Sequence, residues 1–469
     1  MTRFALLSGL GHAAFVAVGL LIYVMATRIG RQRRHPSAAM GWVLAIVAFP
    51  YAAVPLFLMF GSRKFMRPQR RAAGMLAAGP ALPPPPADVP GPAWATRLLA
   101  GMELAPPVRN ARTVFHAQGA QAFDGLLATV ASARHSLDVC TFVFGDDEVG
   151  RRVAEALRAA ARRGVAVRLL LDAVGSLGMP AHLRRALREG GVQVRRFMPL
   201  LHNPLRGHTN LRNHRKLVVA DGERLWSGGR NLACEYFLDR PGLPAWIDLS
   251  YEIEGPIALQ AAAQFAADWQ AASGRIARAV LPRPLQPGPA AGVPAQWVPS
   301  GPDHADDTVH ALLVAAAYHA EARIVAVTPY FVPDDALLDA WCLACRRGVQ
   351  VRLLVPERSN HRLADWARAR ALRELAQAGA EVWLAPGMVH AKAVVIDDVL
   401  ALSGSLNLDA RSLFLNYEVM TAFYGPEEVR WLAGWCGAQI AIARRFEARP
   451  PSWPRDIAEG VVRAVGFQL

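Results

Sequence analysis

The chain opens with two long apolar segments. Residues 4–27 and 37–62 contain no Asp, Glu, Lys or Arg, and each is long enough to cross the roughly 30 Å hydrocarbon core of a bilayer as a helix. Trp42 and Tyr51, with arginines near the segment ends, are of the residue types that anchor helices at membrane interfaces. The pattern predicts a transmembrane helical hairpin over residues 1–71.

The rest of the chain alternates apolar strand-like runs with helical stretches, and it does so twice. Residues 162–170 read RRGVAVRLL and residues 346–354 read RRGVQVRLL, each following a helical stretch. The surrounding segments repeat as well, with helices expected at 149–161 and 335–345 and strands at 136–144 and 323–331. Alternating strands and helices predict an α/β fold. We expect two α/β sandwich repeats related by a pseudo-twofold axis and preceded by the hairpin.

Stretches rich in Pro, Ala and Gly divide the chain and are typical of linkers. We therefore expect a membrane hairpin (1–71, with helices at about 4–27 and 37–62), a linker (72–110), a first domain (111–280), a second linker (281–294), a second domain (295–450) and a C-terminal tail (451–469).

Charge supports the membrane interpretation. The 469 residues carry a formal net charge of +14, but residues 1–75 hold ten basic and no acidic residues, leaving 42 basic and 38 acidic residues in the remainder. A basic chain suggests an anionic partner, either nucleic acid or phospholipid. Because the excess lies between apolar segments, we expect a phospholipid membrane and no nucleic acid as the partner.

The arginines also predict an orientation. Two spans return the chain to its starting side, where six basic residues lie against four in the turn between the spans. This distribution favours a cytoplasmic N-terminus and body. A cleaved signal peptide, with Arg3 before the apolar core and small residues near Ala26, is the alternative, and the second apolar segment argues against it.

A more specific pattern, H-x-K-x-x-x-x-D, occurs once in each repeat, with Gly and Asn at 14 and 17 residues after the histidine. Only three lysines occur in the chain, and two of them hold the equivalent motif positions. That choice indicates a need for a compact ammonium rather than a guanidinium fork. The two copies consist of His214, Lys216, Asp221, Gly228 and Asn231, and of His390, Lys392, Asp397, Gly404 and Asn407.

These residue types predict phosphodiester chemistry. Two histidines, two lysines and two asparagines would form a pocket of donors, with no metal or cofactor, for a phosphate whose charge grows in the transition state. One imidazole can attack phosphorus and form a phosphohistidine while the other protonates the leaving alcohol. Water as the acceptor gives hydrolysis, and another alcohol gives transfer.

Carboxylates are expected to orient the histidines through their far ring nitrogens. The candidate in the second half is Glu418, 28 residues after His390, and the candidate in the first half is Asp248. Asp221 and Asp397 are instead expected to brace the turn after each strand.

Two smaller features complete the candidate chemistry. The second copy has Ser405 where the first has Gly229, so the halves are expected to be chemically unequal. The five cysteines are odd in number and are expected to be reduced thiols. Cys342 and Cys345 form a C-x-x-C inside a predicted helix, where packing is favoured over metal binding.

At these residues the sequence resembles the phospholipase D superfamily, whose signature is the duplicated H-x-K-x-x-x-x-D motif with G-[SG]-x-N. Within it, the hairpin, LRNHRK at 211–216, TPYFVP at 328–333 and the run 404–418 resemble the membrane-anchored bacterial cardiolipin synthases.

The resemblance implies two phospholipase D-like domains in a protein of the bacterial inner membrane. It implies condensation of two phosphatidylglycerols to cardiolipin with release of glycerol, by a ping-pong course and without a metal. The expected partners are phosphatidylglycerol, other anionic phospholipids and the membrane. By the same resemblance, His214 is the expected nucleophile and His390 the expected acid and base.

Three alternatives would keep the same motifs. A hydrolytic phospholipase D differs only in using water as acceptor. A nuclease of the superfamily is disfavoured because the body has little net charge, whereas duplex binding rests on a concentrated basic face. A scaffold with an inactive site is disfavoured because both histidines and both lysines are present.

Overall fold

The structure is a computed structural model. It describes residues 2–29, 36–60, 91–199, 210–273, 288–289, 291–456 and 459–460. Most of the two predicted linkers and the end of the predicted tail lie outside the described residues.

Three helices form the N-terminal region: α1 (Thr2–Ile29), α2 (Pro36–Ala48) and α3 (Pro50–Phe60). The second predicted helix is therefore divided at Phe49, because Pro50 lacks the N–H that would continue the helix. Tyr23, Ile46 and Phe57 form a small apolar cluster between the helices. Over the part of the chain that the structure describes, the helices do not meet the combined length and hydropathy that a bilayer crossing demands.

The first half of the body follows. Its elements, with the helix and strand that precede it, are α4 (Ala93–Gly101), β1 (Val108–Asn110), β2 (Arg112–His116), α5 (Gly119–Ser132), β3 (Ser136–Thr141), α6 (Glu148–Arg162), β4 (Ala166–Asp172), α7 (Ala181–Glu189), β5 (Gln193–Phe197), β6 (Leu217–Ala220), β7 (Arg224–Gly228), a 3₁₀ turn (Cys234–Tyr236), β8 (Ser250–Glu254) and α8 (Ile257–Ala271).

The second half repeats this order with small additions. Its elements are β9 (Val293–Ser300), α9 (Thr308–His319), β10 (Arg323–Val327), β11 (Phe331–Val332), α10 (Asp335–Arg346), β12 (Gln350–Pro356), α11 (Arg362–Gln377), β13 (Glu381–Ala385), β14 (Ala393–Ile396), β15 (Leu400–Gly404), β16 (Leu408–Asp409), α12 (Ala410–Phe414), β17 (Glu418–Phe423), α13 (Pro426–Ala441) and β18 (Arg444–Arg445).

The two sheets share one topology. The first has the order β2-β8-β7-β6-β3-β4-β5, and the second contains the matching series β9-β17-β15-β14-β10-β12-β13, extended by β1 and β18 at its edges. In both, the strands of the RRGV repeat pair in parallel with their neighbours, and the motif strands form antiparallel hairpins. The duplicated α/β fold predicted from the sequence is confirmed.

The apolar core is divided among the layers of helices and sheets. Helices α5 and α6 cover the outer face of the first sheet, and α4, α9, α10 and α11 cover that of the second. Helices α8 and α13 lie between the sheets, where side chains from both halves form one continuous apolar cluster. The halves are therefore joined through a shared core.

Part of the segment predicted as the first linker is ordered against the second half. Strand β1 pairs with β9, and the side-chain amide of Asn110 donates to the carbonyl of Val293 at 3.2 Å. Helix α4 buries Ala95 and Leu99 in the second half's outer core. This region thus contacts the far half of the body as well as the half that follows it in sequence, where Ile257 and Gln260 donate to Asn110 and Pro106.

The motif aspartates lie at the end of each motif strand opposite to the histidines. The carboxylate of Asp221 accepts hydrogen bonds from the backbone N–H groups of Arg134, His135 and Ser136, all at 2.8 Å. Asp397 accepts the equivalent bonds from residues 321–323. Both aspartates have positive φ, 56° and 48°, so each closes a tight turn and ties it to the neighbouring strand.

We predict that Asp221→Ala destabilises the fold by about 1–3 kcal/mol, because three backbone donors lose their acceptor and alanine is strained at positive φ. Burial raises the pKa of Asp221, but the three donors outweigh it and hold the pKa below its ordinary value. The stabilisation is therefore present above the unfolded pKa of about 3.9 and is lost as the pH falls through the folded pKa.

Urea unfolding of the wild type and of Asp221→Ala at several pH values measures the difference in the free energy of unfolding. Glu223→Ala, at an exposed position of the same turn, is the control, and an equal loss in both variants would contradict the prediction.

Candidate active site

Both motif histidines lie on the short segments that enter the central motif strands. Strand β6 begins at Leu217 and β14 at Ala393, so each histidine and lysine just precedes its strand. The following four residues of each strand are buried, and this apolar run fixes the segment in the sheet. His214 and His390 are 8% and 5% exposed, which leaves a small opening to each ring.

The two halves exchange backbone hydrogen bonds at this point. The N–H of His214 donates to the carbonyl of Tyr417 at 2.9 Å, and the N–H of Tyr417 donates to the carbonyl of Arg212 at 2.9 Å. Reciprocally, the N–H of His390 donates to the carbonyl of Ile247 at 2.7 Å. Each histidine is thus held beside a strand-leading segment of the other half, as a twofold relation requires.

The carboxylates follow the same exchange. Nδ1 of His214 lies 2.9 Å from Oε1 of Glu418, and Nδ1 of His390 lies 2.7 Å from Oδ2 of Asp248. Both predicted acids therefore contact histidines, but each contacts the histidine of the other half rather than the one from which its spacing is counted.

Glu418 and Asp248 are structurally equivalent despite different spacing in sequence. Gly404 pairs with Met420 and Gly228 pairs with Ser250, so each acid lies two residues before the partner of a motif glycine. A Cβ at either glycine would lie within 2.3 Å of a carbonyl oxygen of the adjacent strand. The motif glycines are therefore required for close approach of the strands that bear the acids.

The position that differs between the halves has a steric explanation. Ser405 donates its hydroxyl to Oε2 of Glu418 at 2.5 Å. In the first half a Cβ on Gly229 would lie 2.1 Å from Oδ1 of Asp248. The shorter carboxylate needs the space that a serine would fill, so the halves reach similar histidine–carboxylate distances by different residue pairs.

The lysines are buried in the same site. Nζ of Lys216 donates to the carbonyl of His214 at 2.7 Å, and Nζ of Lys392 donates to the carbonyl of His390. Burial lowers the pKa of Lys216 to about 8 and that of Lys392 to about 7, although nearby carboxylates, including Asp248, favour their charged forms.

Burial keeps the imidazoles neutral. Burial lowers the pKa of His390 to about 3, with Lys392 acting in the same direction and Asp248 opposing it. Burial also lowers the pKa of His214, against the attraction of Glu418. Each lysine depresses the pKa of both histidines, which shows that the two motifs converge on one site.

The acids remain ionised. Burial alone would raise the pKa of Asp248, but His390, Lys392 and Arg230 hold it to about 2. The pKa of Glu418 is likewise lowered, since His214 and Lys216 outweigh its burial. A neutral imidazole that donates Nδ1–H to a carboxylate presents a lone pair at Nε2. Both rings therefore have the tautomer of a nucleophile or a base.

The motif asparagines occupy unequal environments. Oδ1 of Asn231 accepts from the backbone N–H of Val143 at 3.3 Å. Oδ1 of Asn407 is buried and has no hydrogen-bond partner among the described residues. Since a buried polar group costs free energy until it is paired, Oδ1 of Asn407 is suited to accepting a hydrogen bond from a donor group of a bound ligand.

Aromatic rings form the walls beside the histidines. The ring of Phe142 lies 5.0 Å from that of His214, centre to centre, and Tyr236 and Trp246 lie 5.0 Å and 5.6 Å from His390. Sequence reasoning did not identify these three residues, because they lie outside the motifs and only the fold brings them to the rings.

Arg215 is a second residue that sequence reasoning missed. It is fully buried, and it donates to the carbonyl of Glu418 at 2.9 Å and to the carboxylate of Asp303 at 2.9 Å, with Asp268 as a further partner. It thereby joins the first motif to both halves. The second motif has Ala391 at this position. The difference between Arg215 and Ala391 was visible in the sequence, but the buried partners of Arg215 were not.

Elsewhere in the described residues, we find no group of three or more His, Cys, Asp or Glu side chains placed to hold a metal ion. Cys342 and Cys345 lie within helix α10, and all five cysteines are free thiols.

Comparison with known proteins places this site in context. Residues 126–269 and 313–437 match the family model described as cardiolipin synthase, PLD-like domain. Cardiolipin synthase A of Pseudomonas aeruginosa is 33% identical over 425 residues, covering 86% of this chain and 84% of that protein. Cardiolipin synthase A of Pseudomonas putida is 32% identical over 404 residues, covering 82% of each.

A solved structure has the same fold. The phosphatidylserine synthase of Haemophilus influenzae superposes with a TM-score of 0.63 at 13% identity, covering 80% of this chain and all of that one.

We predict that Gly229→Ala lowers phosphodiester turnover by about a hundredfold, because the new methyl group displaces the Asp248 carboxylate by an ångström or more from His390. Steady-state turnover of the purified protein measures the effect. Gly434→Ala is the control, since a Cβ there meets no atom within 4 Å. Wild-type turnover in Gly229→Ala would show that the position of Asp248 does not limit the reaction.

Proposed function

Because this chain belongs to the cardiolipin synthase family of phospholipase D-like proteins, we propose that it transfers a phosphatidyl group between two phosphatidylglycerol molecules. The products are cardiolipin and glycerol. The observation that carries the proposal is the pair of buried imidazoles, each oriented by a carboxylate of the opposite half, between two buried lysines.

In the first step, Nε2 of His214 attacks the phosphorus of one phosphatidylglycerol. The bond from phosphorus to the glycerol oxygen breaks, and that oxygen takes a proton that Lys392 passes through Nε2 of His390 and regains in the second step. Glycerol leaves and a phosphatidyl–histidine remains. The two ammonium groups stabilise the charge on the phosphoryl oxygens.

In the second step, a hydroxyl of another phosphatidylglycerol gives its proton to His390 and attacks the phosphatidyl–histidine. The phosphorus–nitrogen bond breaks and free His214 returns. Nζ of Lys392 lies 3.2 Å from Nε2 of His390, so a proton donor is beside the imidazole that must carry the proton. Both lysines donate to the carbonyl of their own histidine, but among the described contacts only Nζ of Lys392 also lies beside the ring nitrogens, 2.9 Å from Nδ1 and 3.2 Å from Nε2 of His390. This difference supports His390 as the acid and base and His214 as the nucleophile.

The N-terminal region would bring the enzyme to its substrate. We propose that residues 1–71 anchor the chain in the bacterial inner membrane as a hairpin, with the body on the cytoplasmic side and residues 72–110 as the connection. The support is the apolar, acid-free sequence of this region and the exposure of Phe15, Leu21 and Leu44 on its helices.

The test is incubation of the purified full-length protein with phosphatidylglycerol alone, in detergent with EDTA, followed by mass spectrometry of the lipids. Cardiolipin with an equal amount of free glycerol is expected. Phosphatidic acid without cardiolipin would contradict the transfer and make water the acceptor. His214→Ala is expected to abolish both products, because no phosphatidyl–histidine can form.

We predict that kcat/KM for phosphatidylglycerol falls as the pH rises through about 7 to 8, because Lys392 and Lys216, whose pKa values are lowered to about 7 and about 8, lose their protons there. Lys392→Arg keeps its charge at these pH values. Because a planar guanidinium does not replace a compact ammonium, the variant is expected to be slower than wild type. Because its charge persists, the decline of its kcat/KM is expected to move to higher pH.

The measurement is a pH profile of initial rates at low substrate concentration. Lys64→Arg, which replaces the one lysine outside the two motifs, is the control and should retain the wild-type profile. An unchanged alkaline decline in Lys392→Arg would exclude Lys392 as its source.

A further inference from the structure

Seven large apolar side chains among the described residues of the body are more than half exposed, and four of these lie on segments that contact residues of the site. Leu177, Leu243, Leu363 and Trp366 are 59%, 61%, 58% and 52% exposed. Large exposed apolar groups clustered in one region indicate an interaction surface rather than ordinary protein surface.

Leu177 is connected to the first histidine by two contacts. It follows β4, and the hydroxyl of the preceding Ser176 donates to the carbonyl of Phe142 at 2.8 Å. The ring of Phe142 is the one that lies 5.0 Å from the ring of His214. Leu177 is therefore an exposed residue on the segment that contacts the aromatic wall beside this histidine.

Leu243 occupies the same relation to the second histidine. It closes a turn with Arg240 through two backbone hydrogen bonds of 2.8 Å and 2.9 Å. The chain then passes to Trp246, whose ring lies 5.6 Å from that of His390, and to Asp248. The exposed tip of this turn is thus an extension of the wall of the site.

Leu363 and Trp366 lie in the first turns of α11, after β12, which matches β4 in the twofold arrangement. The ring of His361, just before the helix, lies 5.5 Å from that of Tyr330. The strand that follows Tyr330, β11, pairs with β16 directly after Asn407. These side chains therefore belong to the same edge of the molecule as the site.

Basic residues accompany the apolar ones. Arg240, Arg358 and Arg362 are exposed on the same turns. The neighbouring acids are engaged within the protein: Glu357 bonds Arg444, and Asp365 accepts from the N–H of Ser359 at 2.9 Å and bridges to Arg368. Apolar and aromatic side chains mixed with arginine are the composition that binds the interface of an anionic bilayer.

We propose that this rim, formed by Leu177, Leu243, Leu363 and Trp366 with Arg240, Arg358 and Arg362, docks the opening of the active site onto the surface of an anionic phospholipid bilayer. The proposal rests on the function proposed above. The apolar side chains enter the boundary between headgroups and acyl chains, and the arginines contact lipid phosphates. A lipid then has to rise only far enough to bring its phosphate to His214 while its acyl chains stay in the membrane.

The test compares two presentations of the substrate to the full-length enzyme. One is phosphatidylglycerol within vesicles of phosphatidylcholine and phosphatidylglycerol, and the other is dihexanoyl phosphatidylglycerol dissolved as monomers. Leu363→Ser with Trp366→Ser is expected to lower the vesicle rate about tenfold and to leave the monomer rate unchanged. An equal fall in both rates, or no change in either, would overturn the proposal.

Val399→Ser is the matched control. Val399 is 44% exposed, but it lies in the turn between β14 and β15, at the end of the strand opposite to His390. Its vesicle-to-monomer ratio should equal that of wild type. A fall as large as that of the rim variant would show that the ratio responds to any lost apolar surface.

A readout independent of activity separates this proposal from the proposed function. Hydrogen exchange of the full-length protein in phosphatidylglycerol vesicles and in phosphatidylcholine vesicles should show greater protection of residues 175–179, 240–246 and 358–366 in the anionic vesicles. Residues 397–400 should exchange equally in both. Protection without turnover would retain the docking surface and refute the enzyme activity, and turnover without protection would do the reverse.

Discussion

The exchange of carboxylates between the two halves is the constraint on which the site depends. Each imidazole is oriented by an acid of the other half, and each acid is ionised in a buried position only because an imidazole and an ammonium lie beside it. Isolated buried charges are strongly disfavoured. The two lysines and two carboxylates therefore stabilise one another only when the halves are assembled, and neither half alone supplies both a motif histidine and the carboxylate that orients it.

The duplication is symmetric in geometry but not in chemistry. Glu418 with Ser405 and Asp248 with Gly229 give nearly the same histidine–carboxylate contact from side chains of different length. Arg230 is buried and donates to the carbonyl of Asp248 at 2.6 Å, whereas the second half has Leu406 at that position. The backbone frame is therefore shared, while the side chains that surround the two imidazoles differ.

Sequence reasoning could predict what is local. The helical stretches and apolar strand-like runs depend on neighbouring residues, and α6, α10, β3 and β10 lie within a few residues of their predicted positions. The repeat of the motifs predicted the duplicated domain for the same reason. The turning role of Asp221 followed from its place after a strand, and its three backbone partners agree with it.

What depends on contact between halves could not be predicted. Asp248 lies 34 residues after His214 and Glu418 lies 28 after His390. Their spacing therefore did not indicate that the two acids are structurally equivalent, which only the register of the strands shows. Arg215 has partners on α8 and after β9, which no local pattern connects.

The position of β1 has a consequence for how the chain is made. Its partner, β9, lies some 180 residues further along, with the pairs Val108–Ala295 and Asn110–Val293. During synthesis from the N-terminus, β1 leaves the ribosome long before β9 exists, and the whole first half must emerge before the pairing can form. The segment that leads out of the N-terminal helices therefore has to wait for the second half to begin to emerge, because β9, the first strand of that half, is its partner in the sheet.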